Sequence, residues 1–172
     1  NKLTIKSNLQ NIFKYKNLIT STIDFCKIKQ GVNIFVNSSL PQGSGLGGSS
    51  ALTIALIYGL KKLEVKNNLN IYNIIDRAFF AERIKFKAHG GWQDFYGTAF
   101  GGFKWIILNR YKNKVESLKI DEKTSDKIEK YLIFFKFGHR RSSSSIQKHN
   151  LSNNSKVSEI KKMNQISLNL KK

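Results

Sequence analysis

With 172 residues, the chain has room for one domain with a proper core and too little for two comfortable ones. Hydrophobic residues make up 40% of it and include 12 phenylalanines, which excludes wholesale disorder because that much apolar surface drives collapse. A formal charge of +19 suggests nucleic acid, but the excess is scattered lysine with no basic stripe interleaved with stacking aromatics, so nucleic acid is not the expected partner.

No uninterrupted apolar run reaches the roughly 18 residues needed to cross a bilayer, and the N-terminus has neither a signal-peptide apolar region nor a small-residue cleavage site. A soluble, cytoplasmic protein without a membrane partner is the expectation. Cys26 is alone, so no intramolecular disulfide is possible, and no Cys/His cluster has zinc-ligand spacing.

In chain order, Ile12, Leu18, Ile19, Ile23 and Cys26 recur at helical spacing and predict a helix over 11–28. "VNIFVNS", residues 32–38, alternates Val32, Ile34 and Val36 on one face, the period of a strand. A glycine-rich loop follows, and Ser49 or its neighbour caps the next helix, whose stripe is read as Leu52, Ala55, Leu56, Leu60 and Leu63. "KNNLN" is a turn before another helix over about 70–87. Residues 97–120 read as a glycine-studded hairpin with "FKWIILN" and "VESLKI" as its arms, and "YLIFFKF", residues 131–137, as a short buried strand. After Gly138 the composition becomes polar and low in complexity. The last stretch has helical spacing through Val157, Ile160, Met163 and Leu170, with no C-cap signal. This order of elements gives an α+β two-layer domain.

The loop "PQGSGLGGSSA", residues 41–51, carries the chemistry. In the order strand, glycine loop, helix, free backbone N–H groups and the positive end of a helix dipole converge on an anion. Glycines allow close approach of phosphate oxygens and backbone conformations that a side chain forbids. A flexible linker is disfavoured by the well-formed helix that follows. Gly43, Gly45 and Gly48 fit G-x-G-x-x-G with Glu64 about 20 residues onward, but no strand follows the helix before another helix intervenes, as a dinucleotide fold requires. The Walker A pattern fails because no lysine follows Gly48.

Two carboxylates follow. On the 70–87 helix, Glu82 shares a face with Ile71, Ile74, Ile75 and Ala78, a costly placement unless the carboxylate meets a cation. That cation is either a lysine where the stripe leaves the core or a bound Mg²⁺. In "HGGWQDFYGTAFGGFKW", residues 89–105, Asp94 stands among aromatics and glycine pairs, which suits a carboxylate at a cleft floor. Trp92 is a packing residue or a platform that stacks on a sugar ring. The three histidines share no ligand spacing.

The loop "P-x-G-S-G-L-G-x-S-S-A" resembles the phosphate-binding motif of the GHMP kinases. "GGWQD" with "YGTAFGGFKW" resembles the stretch that carries the catalytic aspartate in its sugar-kinase members, those acting on heptose 7-phosphate or fucose. The resemblance implies ATP and Mg²⁺ as cofactors, with Pro41, Gly43, Ser44, Gly45, Leu46, Gly47, Gly48, Ser49 and Ser50 holding the nucleotide. It places Ser49 and Glu82 on the metal and Asp94 as base or hydroxyl-orienting group, twelve residues beyond Glu82. Gly91, Trp92, Gln93 and Arg141, the last in "FGHRRSSSS", are the implied substrate contacts, with a guanidinium suited to a sugar phosphate. Two departures stand out: Gly48 replaces a serine common at that place, and Phe95 replaces a second amide.

The implied fold is the ribosomal protein S5 domain 2-like fold of the GHMP kinase N-terminal domain, incomplete here. The resemblance runs from about residue 10 to 170 and lacks the family's upstream strands and its second domain. The chain starts in what reads as a helical region without Met and stops in mid-helix, so a fragment is expected, with recognisable sites but no activity expected of it alone. Residues 1–150 form the partial ATP-binding domain, and 151–172 a linker with the truncated first helix of the missing domain. Two functions stand: an ATP-dependent kinase of a small sugar or sugar phosphate, or a noncatalytic basic protein with a degenerate kinase fold that binds RNA or another polyanion.

Overall fold

The computed structural model describes residues 3–7, 13–40, 44–64, 69–109, 113–133, 135 and 156–170. It opens with a strand rather than a helical region. In β1 (Leu3–Ser7) the alternation of "LTIKS" is short but sufficient, because β2 (Val32–Val36) pairs with it in parallel, Ile5 opposite Ile34. Between them, α1 (Phe13–Cys26) buries Leu18, Ile19, Ile23 and Cys26, so the predicted helix stands. Lys27, with φ of 57°, turns the chain out of α1. On β2, Val32, Ile34 and Val36 pack toward the core while Phe35 faces solvent, as the alternation requires.

Helix α2 (Gly48–Glu64) packs against α1, α3 and α4 and is the centre of the core. Its buried face corrects the sequence reading. Leu56 and Leu60 are buried as expected, but Leu63 is 62% exposed and Ala55 is also exposed. Ser50, Thr53, Ile54 and Ile57 take the inner positions instead. The reason is local chemistry: the first turns of α2 turn hydroxyls inward to meet a buried carboxylate, and an apolar-only stripe cannot anticipate that.

Helix α3 (Ile71–Phe79) starts at Asn70, whose side chain accepts the N–H groups of Tyr72 and Asn73. Ile74, Ile75 and Ala78 are buried along its inner face. The helix then widens into a π-helical segment, Phe80–Lys85, so the predicted 70–87 helix is two structures in series. The chain next forms α4 (Gln93–Phe100), with Phe95 and Tyr96 buried. The glycine-studded hairpin therefore begins later than residue 97: β3 (Lys104–Ile107) pairs antiparallel with β4 (Lys114–Ser117), Ile106 opposite Val115. The expected strand at 131–137 is not formed by its described residues. Tyr131 ends α5 (Glu122–Tyr131), and Leu132, Ile133 and Phe135 are exposed and belong to no strand. A short apolar run lacks the period needed to distinguish strand from exposed segment. The last predicted helix is α6 (Lys156–Leu170). The molecule thus mixes helix and strand, with one core built mainly from α1–α4 and covered by β1 and β2. No helix among the described residues is long and apolar enough to cross a membrane.

Candidate active site

The glycine loop reaches α2 through two residues in the left-handed region, Gly45 at φ 81° and Gly47 at 71°. The first intrahelical bond of α2 runs from the Ala51 N–H to the Gly47 carbonyl at 2.9 Å. The amides of Gly48, Ser49 and Ser50 therefore stand ahead of the helical ladder, at the positive end of its dipole. Ser44 lies on this approach, and its Oγ accepts the Leu46 N–H at 3.4 Å. Leu46 is half exposed. Pro41 and Gly43 lie outside the described residues, as does Arg141.

At the helix mouth, Ser49 Oγ donates to Glu82 Oε1 at 2.8 Å. One turn further, Thr53 Oγ1 lies 3.3 Å from Glu82 Oε2 and donates to the Ser49 carbonyl at 2.9 Å. Glu82 is 1% exposed and ion-paired to Arg83, whose Nη1 is 3.1 Å from Oε1. The cation beside this carboxylate is thus the neighbouring arginine, not a lysine. Tyr15 of α1 is close enough that the Glu82 charge, behind the larger effect of burial, holds its phenol pKa above the ordinary value.

Asp94 sits in the first turn of α4, and so at a second helix N-terminus. A β-carbon placed on Gly47 would lie 3.5 Å from Asp94 Cβ and 3.8 Å from Thr98 Oγ1, so the loop backbone rests directly against the face that carries both side chains. Asp94 is half-buried, and its carboxylate forms no hydrogen bond or ion pair among the described residues. The starts of α2 and α4 therefore meet, with Glu82 reached through Ser49 and Asp94 through Gly47.

The remaining sequence-derived positions lie on the approach to α4. Gly91 and Gln93 are exposed, and a side chain on Gly91 would meet nothing within 4 Å. Trp92 stacks flat on Phe79, ring centroids 3.6 Å apart, so one face of the indole is taken up by packing. Thr53, Tyr15 and Arg83 were not anticipated. Thr53 stands one turn from Ser49 and Arg83 adjoins Glu82, so both carried a positional hint; Tyr15 carried none.

A divalent cation and a nucleotide fit these residues. Serine and glutamate oxygens suit a hard cation such as Mg²⁺. The Ser50 hydroxyl is fully buried with no hydrogen-bond partner among the described residues, an orphaned polar atom beside the loop. Ser49 and Glu82 would supply part of the coordination of such a cation, and among the described residues no cluster of three or more His, Cys, Asp or Glu exists. That is the usual arrangement where Mg²⁺ also takes oxygens from a phosphate ligand.

The sequence matches the family described as GHMP kinases N terminal domain over residues 13–102. It is 31% identical over 129 residues to the D-glycero-alpha-D-manno-heptose 7-phosphate kinase of Campylobacter jejuni, a match that covers 73% of this chain and 37% of that protein. The fold is similar to the crystal structure of a D-glycero-D-manno-heptose 1-phosphate kinase from Bacteriodes thetaiotaomicron, with a TM-score of 0.62 and 25% identity over 74% of this chain and 47% of that one. A second crystal structure, from Campylobacter jejuni, aligns with a TM-score of 0.57 and 27% identity over 74% of this chain and 44% of that one. The chain thus spans well under half the length of the curated relative.

Proposed function

This chain belongs to the GHMP kinases, and on that premise we propose that it is the nucleotide-binding part of an ATP-dependent kinase that phosphorylates a hydroxyl of a sugar phosphate, of the heptose phosphate class. The observation that carries the reading is the junction of two helix N-termini: Ser49 bonded to Glu82 on one side and Gly47 against Asp94 on the other.

In this reading the amides of Gly48 to Ser50 and the α2 dipole hold the triphosphate oxygens. Ser49 and Glu82 would hold Mg²⁺, which when bound neutralises charge on the phosphates. Thr53 and Arg83 fix the Glu82 carboxylate so that one oxygen faces Ser49. Asp94 orients the acceptor hydroxyl and takes its proton as the phosphoryl group passes from the nucleotide's bridging oxygen to the acceptor oxygen. Most of the rate enhancement comes from alignment and fixed charge rather than covalent chemistry by the protein.

The test is titration of the protein with ATP and Mg²⁺, together with phosphoryl transfer to D-glycero-D-manno-heptose 7-phosphate. Ser49→Ala is expected to weaken Mg²⁺-dependent ATP binding. Asp94→Asn should leave ATP affinity within about twofold and lower transfer by about 10²-fold or more. A chain that binds no ATP, or measurable transfer that Asp94→Asn leaves equal, overturns the reading. Tight RNA binding that collapses with salt, without ATP binding, would favour the polyanion alternative instead.

A further inference from the structure

Arg83 is an unusual residue to find where it is. Its side chain is 9% exposed, and its Nη1 donates both to Glu82 Oε1 and to the main-chain carbonyl of His89, each at 3.1 Å. The guanidinium lies 5.1 Å above the ring of Phe95, the residue that follows Asp94. Its Nε is buried with no hydrogen-bond partner among the described residues. Gly90 is shaped by the same group: its φ is 155°, and a β-carbon there would fall 2.5 Å from the guanidinium carbon and from Nη2.

Stability alone does not account for this arrangement. A buried ion pair with an unsatisfied nitrogen offers little or no advantage over a well-packed apolar side chain. Neutralising Glu82 does not account for it either, since a point charge such as lysine would serve. What the arginine supplies is one nitrogen, Nη1, that donates to a carboxylate and to a carbonyl six residues onward, carried on a flat guanidinium that lies over an aromatic face. Those three partners belong to the two halves of the candidate site. Glu82 is joined to Ser49 and the loop, whereas His89 and Phe95 bracket the segment that delivers Asp94.

We propose that Arg83 is a positioning residue that couples the Ser49–Glu82 pair to the 89–95 segment, so that the carboxylate at the nucleotide and the entry of the chain into α4 are set together. The proposal rests on the reading of Ser49 and Glu82 as the nucleotide–metal side of a kinase. Gly90 is then glycine because the guanidinium occupies the space a side chain would need.

Two measurements test it: hydrogen exchange of the amides over 88–95 in the ligand-free protein, and the ratio of ATP affinities with and without Mg²⁺. Arg83→Met and Gly90→Ala, the second keeping the arginine but displacing it, should each speed exchange over 88–95 about fivefold or more. Each should also cut the Mg²⁺ enhancement of ATP affinity about fivefold or more while metal-free affinity stays within about twofold. Glu82→Gln, whose side-chain hydrogen bonds among the described residues run to Ser49, Thr53 and Arg83 and to none of 89–95, should speed exchange there as well. Arg83→Lys should restore little of either property. An unchanged Mg²⁺ enhancement in both Arg83→Met and Gly90→Ala overturns the coupling, and so does a parallel loss of metal-free and metal-dependent affinity, the mark of a merely structural residue. If the wild-type chain binds no nucleotide, the kinase reading fails and the coupling is decided by Glu82→Gln alone, with unchanged exchange over 88–95 overturning it.

Discussion

Gly47 and Gly48 are adjacent glycines with opposite demands. Gly47 holds φ at 71° with Asp94 beside it, whereas Gly48 opens α2 with ordinary backbone, and a β-carbon added to it would meet nothing within 4 Å. Gly47→Ala is therefore expected to destabilise the fold by about 1–2 kcal/mol through backbone strain, and to weaken ATP binding about fivefold to tenfold as the loop relaxes. Gly48→Ser should leave both within error, because a side chain there meets open space. Thermal unfolding and ATP titration of the two variants check the contrast. At this scale Ser49, Glu82 and Asp94 were legible in the sequence, because each breaks a local rule: hydroxyls after a glycine loop, a carboxylate on an apolar face, an acid among aromatics. Thr53 and Tyr15 break no such rule, and only the fold brings them to Glu82.

Among the elements, those with a clean period were readable. Helices α1, α2 and α3 and strand β2 repeat every 3.6 or 2 residues, and the hairpin arms carry β-branched and aromatic residues between turn signals. Helix α4 was hidden by Gly97 in its middle and the glycine pairs around it, which weigh toward loop in any local reading. Helix α5 was hidden for another reason: Ile128 and Tyr131 are its only large apolar residues, and it buries nothing. Its signal was the cap. Asp121 accepts the Thr124 N–H at 3.0 Å and the Thr124 hydroxyl at 2.7 Å. Those bonds hold the Asp121 pKa below its ordinary 3.8, the side-chain bond to Thr124 contributing most. A lowered folded-state pKa stabilises above the unfolded value and is lost as pH falls through the folded one. Fraying of α5 should therefore increase as pH drops below about 3.8, faster than in Asp121→Asn, which caps without titrating. Amide exchange over 122–131 across that window reads the difference.

For the whole molecule, α2 decides cooperativity because it touches α1, α3 and α4 together. Ile57, fully buried on its inner face, should cost about 2–5 kcal/mol as Ile57→Ala, since neighbours from several helices cannot collapse into the gap at once. Leu63→Ala, at a position the periodic pattern assigns to the core but which is 62% exposed, should cost within about 0.5 kcal/mol. Urea unfolding of the two variants tells the observed face from the predicted one. Features that depend on residues within a turn or two of each other were already written in the chain: the helical and strand periods, the glycine approach to a helix start, and the family to which that motif belongs. Folding in three dimensions was needed for the rotation of α2, the parallel pairing of β1 with β2, the π-helical turn, and the meeting of Ser49 with Glu82 across 33 residues of chain. The physical reason is range. A local period says that a face is apolar, but a carboxylate and a hydroxyl choose each other only after the core has closed and left them no water to bind.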